Sequence, residues 1–173
     1  MRLVVIGNGM VGQRLVDAVR ARDSGRRWQV TVLGEEPHPA YDRVALTSYL
    51  SGRSAADLGV VPDGCYDGTE AVLRLGDPAV ALDRAARTVT TASGAVFGYD
   101  ALVLATGSSP FVPPLPGAGT RGCFVYRTLD DLDAIRRCVA HARTGIVVGG
   151  GLLGLEAAGA LHGMGLDTHV VEM

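Results

Sequence analysis

The sequence contains no lysine; all 16 of its basic residues are arginine. That excludes a Schiff-base lysine, a Walker A lysine and a kinase lysine, and with them the reactions that need one. No basic run exceeds two residues and the net charge is −2 at pH 7, so the basic stripe of a nucleic-acid-binding surface is missing. The three cysteines, Cys65, Cys123 and Cys138, form no CxxC pair; zinc and redox-dithiol spacings are absent, and the thiols suit a reducing cytosol. There is no HExxH motif, and His38, His141, His162 and His169 lack ligand spacing. Neither a metal site nor a catalytic side chain is assigned. No apolar stretch reaches 18 residues and no signal peptide opens the chain, so a soluble, cytoplasmic protein without a membrane segment is expected.

What is present is a foldable composition. The 173 residues are 47% hydrophobic, with a mean hydropathy of +0.23, which permits a buried core and excludes a disordered chain. Glycine is in excess at 24 residues, about twice its usual share. Leu3-Val4-Val5-Ile6 is a continuous apolar run of the kind buried on both faces of a parallel sheet. A helical pattern follows, with Leu15, Val16 and Val19 on one side and Arg14, Asp17 and Arg20 on the other. Val30–Leu33 reads as the next strand. Residues 1–36 thus predict a strand–helix–strand unit, the start of a doubly wound α/β fold.

Farther on, Ala45–Leu50 suits a short helix. Ala71–Leu75, Ala79–Asp83, Thr88–Thr91 and Ala95–Phe97 read together as an inserted antiparallel β meander. Ala101–Ala105 returns to a buried strand. Four prolines within Ser108–Gly119 mark an interdomain connection. Thr128 with Asp131 predicts a capping box for a helix carrying Leu132, Ile135 and Val139. Gly145–Val148, an Ala-rich helix and a strand over His169–Glu172 complete a second strand–helix–strand unit.

Each unit carries a glycine fingerprint in the context that gives it meaning, after a strand and before a helix. The first is Gly7-Asn8-Gly9-Met10-Val11-Gly12, and Glu35 follows Gly12 by 23 positions. The first glycine makes the tight turn, the second lets a pyrophosphate approach the backbone, and the third packs helix on strand. The phosphate then meets free N–H groups at the positive end of the helix. The second fingerprint is Gly149-Gly150-Gly151-Leu152-Leu153-Gly154, with Glu172 18 positions after Gly154. An acid at that place accepts a hydrogen bond from a ribose 2′-hydroxyl and repels a 2′-phosphate, favouring NAD over NADP. Two such units imply two dinucleotides, a tightly held flavin and a nicotinamide that delivers hydride.

GNGMVG, EEPHPAYDRVALTSYLSG, YDALVLATGSSPFVPPLPG, FVYRTLDDLDAI and GIVVGGGLLGLEAAGAL occur in this order. Together they resemble the FAD- and NAD(P)H-binding half of the pyridine-nucleotide flavoprotein reductases. Within that family the chain most resembles the subgroup of assimilatory NAD(P)H nitrite reductase large subunits and related nitrate-assimilation electron-transfer subunits, and AYDRVALTSYLSG is the most subgroup-specific part of the resemblance. The resemblance implies a Rossmann-like FAD-binding domain with an inserted antiparallel meander, plus the first βαβ of a second Rossmann-like NAD domain. The implied boundaries are 1–112 for the incomplete FAD domain, 113–122 for a linker and 123–173 for the partial NAD(P) domain. It implies that Gly7, Gly9, Met10, Val11 and Gly12 hold the FAD pyrophosphate, that Glu35 binds the adenosine ribose and that Val80 meets the adenine through its backbone. Ala105, Thr106 and Gly107 would close the FAD site, and Arg43 and Arg127 would face the flavin. Gly149, Gly151, Leu152, Leu153 and Gly154 would receive NAD(P)H, with Glu156 near the nicotinamide and Glu172 on the ribose.

The pattern departs from the ferredoxin reductases, which have a lysine where this chain has Ser48 and prolines where it has Val44 and Ala45. The flavin-binding Gly-Asp segment, the siroheme and iron–sulfur cysteines of a nitrite reductase and the rest of the NAD domain are not in the sequence. The resulting expectation is the front part of a larger electron-transfer enzyme, inactive by itself. An electron-acceptor domain or subunit would be its partner, and it would self-associate through the half-built second domain. A ferredoxin- or rubredoxin-reductase-type flavoprotein and a non-catalytic dinucleotide-binding module remain the alternatives.

Overall fold

The computed structural model describes residues 1–68 and 70–172. It divides into two compact units, one of residues Met1–Tyr41 and Gly59–Ser108, the other of Asp42–Leu58 and the chain from Ser109 on.

The first unit is built on β1 (Arg2–Ile6), α1 (Met10–Arg22) and β2 (Gln29–Leu33). β1 pairs with β2 in parallel, in register from Arg2 with Gln29 to Ile6 with Leu33. The apolar run of β1 is explained by what covers each face. Leu3 and Val5 point to one side, where Val16 of α1 packs with Val30, Val32, Cys65 and Ala71. Val4 points to the other and packs with Leu33, Val89 and Tyr99. A strand covered on both sides gains from apolar residues at consecutive positions rather than alternate ones.

α1 stops after Arg22, where Asp23 takes over the backbone. The Asp23 carboxylate accepts the Trp28 N–H at 2.7 Å, and that bond holds its pKa below the usual carboxylate range. The second turn of α1 carries the buried Gln13, whose Nε2 donates to Asp17 Oδ1 at 2.9 Å. Its Oε1 accepts the Tyr66 hydroxyl at 2.8 Å. Burial raises the Tyr66 pKa, so the phenol stays a donor and pins the Cys65–Tyr66 segment to the helix.

After the second unit's excursion come β3 (Ala71–Arg74), β4 (Ala79–Asp83), β5 (Thr88–Thr91), β6 (Val96–Gly98) and β7 (Ala101–Leu104). β4, β5 and β6 form the antiparallel meander. β3 does not belong to it, contrary to the expectation for Ala71–Leu75. It is the edge of the parallel sheet, whose order is β3-β2-β1-β7, and it pairs in parallel with β2 from Val30–Ala71 to Leu33–Arg74. Ala71 turns into the core beside Cys65, and that burial, rather than any local feature of a four-residue strand, selects its partner.

The second unit contains a 3-10 turn at Arg43–Ala45, α2 (Leu46–Leu50), α3 (Leu129–Val139), β8 (Thr144–Val148), α4 (Leu152–Gly163) and β9 (Asp167–Val171). β8 and β9 pair in parallel, and α2 lies against α3 and α4. α3 begins with the predicted capping box: Thr128 Oγ1 accepts the Asp131 N–H at 3.1 Å, and the Asp131 carboxylate accepts the Thr128 N–H at 2.8 Å. Both aspartates of the first turn complement the helix dipole, and Arg136 and Arg137 complement it at the last. Replacing Thr128 by alanine is expected to cost about 1 kcal/mol, read as a lowered urea midpoint with an unchanged m-value.

Tyr49 anchors α2. Its hydroxyl donates to Asp133 Oδ1 at 2.8 Å, the Arg136 guanidinium lies 4.0 Å over its ring, and Arg136 Nη2 donates to its carbonyl. The hydrogen bond to the Asp133 carboxylate raises the Tyr49 pKa, so the phenol remains protonated across the physiological range. Among the described residues no helix is long and apolar enough to cross a membrane.

Candidate functional site

In the first unit, the turn after β1 lies between the carboxyl ends of β2 and β7. The Gly7 N–H donates to the Leu33 carbonyl at 2.9 Å, and the Ala105 N–H donates to the Ile6 carbonyl at 2.7 Å. Gly7 has φ +113°, and a methyl group there would overlap the Ala105 carbonyl. A methyl on Gly12 would overlap the Gly7 carbonyl oxygen, whereas one on Gly9 would meet no atom within 4 Å. Two of the glycines therefore exist because the chain crosses itself, and the middle one faces open space. Gly9 caps α1 with its backbone alone, leaving the N–H groups of the first turn uncapped beside the exposed Met10 and Val11. The end of a helix in that state carries unpaired N–H groups and the positive end of the helix dipole.

The other predicted residues of this unit gather at the same sheet end or on the meander. Glu35 follows β2, is exposed, and takes no hydrogen bond from any described residue. Its neighbour Glu36 is engaged by the Tyr41 hydroxyl at 2.7 Å. Thr106 and Gly107 follow β7 and are exposed. Val80 lies where the register between β4 and β5 slips, between the pairs Ala79–Thr91 and Ala81–Thr90. A bulge of this kind leaves the extra residue outside the ladder, so the backbone of Val80 is turned out of the sheet pairing. Asn8 was not singled out by the motif, whose second position accepts any residue. Its Nδ2 donates to the His38 carbonyl at 3.2 Å, while its Oδ1 is buried without a partner among the described residues.

The second unit repeats the turn. The Gly149 N–H donates to the Val171 carbonyl at 2.8 Å, and Gly149 has φ +110°. A methyl on Gly154 would overlap the Gly149 carbonyl, and one on Gly151 would meet nothing within 4 Å. Gly151 caps α4 with its backbone alone, and Leu152 and Leu153 are exposed at its start. Here the acid after the following strand closes on the turn: the Glu172 carboxylate accepts the Gly150 N–H.

Three further predicted residues fall in the second unit. Arg43 Nη1 donates to the Arg127 carbonyl at 3.0 Å, which brings these two arginines together across 84 positions. The turn carrying Arg43 is fixed by Asp42, whose carboxylate accepts the Val44 N–H at 2.9 Å. Glu156 is exposed on α4 and accepts a hydrogen bond from Thr47 Oγ1 at 3.2 Å; Tyr126 in turn donates to Thr47 at 3.1 Å. Thr47 and Tyr126 were missed by sequence reasoning, and only the adjacency of Tyr126 to Arg127 could have drawn attention to them. Among the described residues no cluster of His, Cys, Asp and Glu could hold a metal ion.

Comparison with known proteins gives a consistent outcome. Residues 1–173 match the family model described as pyridine nucleotide-disulphide oxidoreductase. The chain is 45% identical over 172 residues to the nitrite reductase (NADH) large subunit of Escherichia coli K12, covering 99% of this chain and 20% of that protein. It is 52% identical over 170 residues to the nitrite reductase [NAD(P)H] large subunit of Klebsiella oxytoca, covering 98% and 18%. Among solved structures it is similar to a ferredoxin reductase for the CYP199A2 system from Rhodopseudomonas palustris. That match has a TM-score of 0.89 at 27% identity and covers 98% of this chain and 42% of that one. The chain spans about a fifth of the length of the nitrite reductases it matches.

Proposed function

The chain belongs to the pyridine nucleotide-disulphide oxidoreductase family, and from that premise we propose that it is the dinucleotide-binding part of an NAD(P)H-oxidising flavoprotein. The observation that carries the proposal is the repeated turn. Each unit has a glycine whose methyl would meet only open space, at an uncapped helix start, preceded by a glycine at positive φ and followed by one whose methyl would overlap the carbonyl of the first. The residues present fit a pyrophosphate at both turns, because a side chain at Gly9 or Gly151 would fill the cradle that the bare backbone leaves.

In this reading the first unit holds FAD. Gly7 makes the tight turn that lets Gly9, Met10, Val11 and Gly12 present N–H groups to its pyrophosphate, Glu35 accepts the ribose hydroxyls, and the out-of-ladder backbone of Val80 meets the adenine. Ala105, Thr106 and Gly107 close the site. The second unit takes NAD(P)H on Gly149, Gly151, Leu152, Leu153 and Gly154, with Glu156 toward the nicotinamide and Glu172 on the ribose, which favours NADH. Bound flavin supplies the exchange between hydride and single-electron chemistry; the chain's own residues bind, orient and neutralise charge, and none acts as a nucleophile. The proposed domain map stays 1–112, 113–122 and 123–173.

The electron acceptor proposed for the whole protein is a siroheme and iron–sulfur centre that reduces nitrite, in the cytoplasm. The higher identity to nitrite reductases and Ser48 in the place of a lysine favour it over a reductase serving a separate ferredoxin. The full-length protein is expected to purify with a visible flavin spectrum that NADH bleaches under anaerobic conditions and nitrite restores. Failure to bind FAD on titration would sink the proposal. Bleaching that only a ferredoxin reverses would replace the acceptor.

A further inference from the structure

Glu156 lies in a helix with an exposed carboxylate, and no described cation pairs with it. Among the described residues its carboxylate takes one hydrogen bond, from a neutral donor, Thr47 Oγ1, at 3.2 Å. A hydroxyl has a single proton to give. Because the half-buried Tyr126 donates its own proton to Thr47 Oγ1 at 3.1 Å, the proton of Thr47 is left for the carboxylate. Burial raises the pKa of Tyr126, which keeps it a donor. The chain of bonds therefore has one direction, from Tyr126 through Thr47 to Glu156, and bonds aligned in this way reinforce one another.

The placement of Thr47 is not left to the flexibility of a five-residue helix. Tyr49, two positions on, is bound through its hydroxyl to Asp133 and clasped by Arg136. Ser48, at the position of the ferredoxin-reductase lysine, turns away and donates to the Ala45 carbonyl at 2.6 Å. The group that meets Glu156 is thus an uncharged hydroxyl in a fixed orientation, and it occupies one carboxylate oxygen only.

We propose that Thr47 and Tyr126 are positioning residues for Glu156: they hold Oε2 and thereby present Oε1 to the nicotinamide end of the dinucleotide. The inference rests on the assignment of Glu156 to the nicotinamide made above. Its chemistry is specific, since a carboxylate oxygen held this way accepts an amide N–H, and nicotinamide carries a carboxamide whereas ADP-ribose does not.

The test uses the flavin-loaded full-length protein, titrated calorimetrically with NAD⁺ and with ADP-ribose. Thr47→Val removes the proton while keeping the shape, and Tyr126→Phe removes the first donor. Thr47→Val is expected to weaken NAD⁺ binding about five- to tenfold and Tyr126→Phe about threefold, with ADP-ribose within about twofold throughout. Thr47→Ser, which keeps the donor, restores NAD⁺ binding to within about twofold. Equal losses for both ligands would mean that the two residues only support the fold, and would overturn the inference. So would unchanged NAD⁺ binding in Thr47→Val and Tyr126→Phe while Glu156→Gln weakens it, leaving Glu156 at the nicotinamide without positioning. If Glu156→Gln itself binds NAD⁺ as the parent does, the assignment of Glu156 falls and the inference with it.

Discussion

Gly9→Ala is expected to leave the first unit stable but empty of flavin, whereas Gly12→Ala and Gly7→Ala are expected to destabilise it strongly. All three changes add one methyl group, so the difference lies in where each methyl goes. Gly9 has φ −98° and ψ −174°, an extended backbone that alanine adopts freely, and its Cβ meets no atom within 4 Å. The fold loses only the small preference for glycine over alanine at a helix cap, about 1 kcal/mol or less. The methyl instead occupies the space beside the free N–H groups of α1, where a pyrophosphate would sit, and the flavin-to-protein ratio falls by about tenfold or more.

On Gly12 the methyl overlaps the Gly7 carbonyl oxygen, and on Gly7 it overlaps the Ala105 carbonyl while φ +113° imposes backbone strain as well. Backbone atoms at strand ends cannot step aside as a side-chain tip can. A loss of about 3 kcal/mol or more is expected for each, a large share of the stability of an ordinary domain. Urea denaturation of the apoproteins, read against flavin content, separates the two classes. A Gly9→Ala protein that keeps its flavin would remove the pyrophosphate from this turn.

What the sequence made legible follows from the range of the interactions. Leu3–Ile6 announces a doubly covered strand because burial acts residue by residue. Thr128 and Asp131 announce a capping box because their partners lie within three positions. The two glycine turns are legible for the same reason, since each is closed by a contact between its own first and last glycines. The sheet to which β3 belongs is not legible locally, because its partner is chosen at a distance, by the burial of Ala71 beside Cys65. The slip in register at Val80 depends on the spacing of β4 against β5, which neither strand encodes alone. Thr47 and Glu156 are separated by 109 positions, and a threonine in a short helix carries no mark of the carboxylate it will meet.

Glu172 tests the second turn as Gly9 tests the first, and here the expected effect is on choice between cofactors. The Glu172 carboxylate accepts the Gly150 N–H, and a methyl on Gly150 would come within 3.1 Å of Glu172 Oε2. The carboxylate is thus held against the turn where the adenosine ribose of a dinucleotide is proposed to lie. A charged acceptor for the ribose 2′-hydroxyl contributes about 1.5–3 kcal/mol, and the same charge repels a 2′-phosphate at that place. Glu172→Ala removes both effects, so the ratio of kcat/KM for NADH over NADPH is expected to fall about 100-fold. Glu172→Gln keeps an oxygen for the Gly150 N–H and for the hydroxyl but loses the charge, and is expected to fall in between. The two variants separate recognition from scaffolding. If Glu172 served only to hold the Gly150 backbone, glutamine would behave as the parent and alanine would weaken both cofactors alike, leaving the ratio untouched.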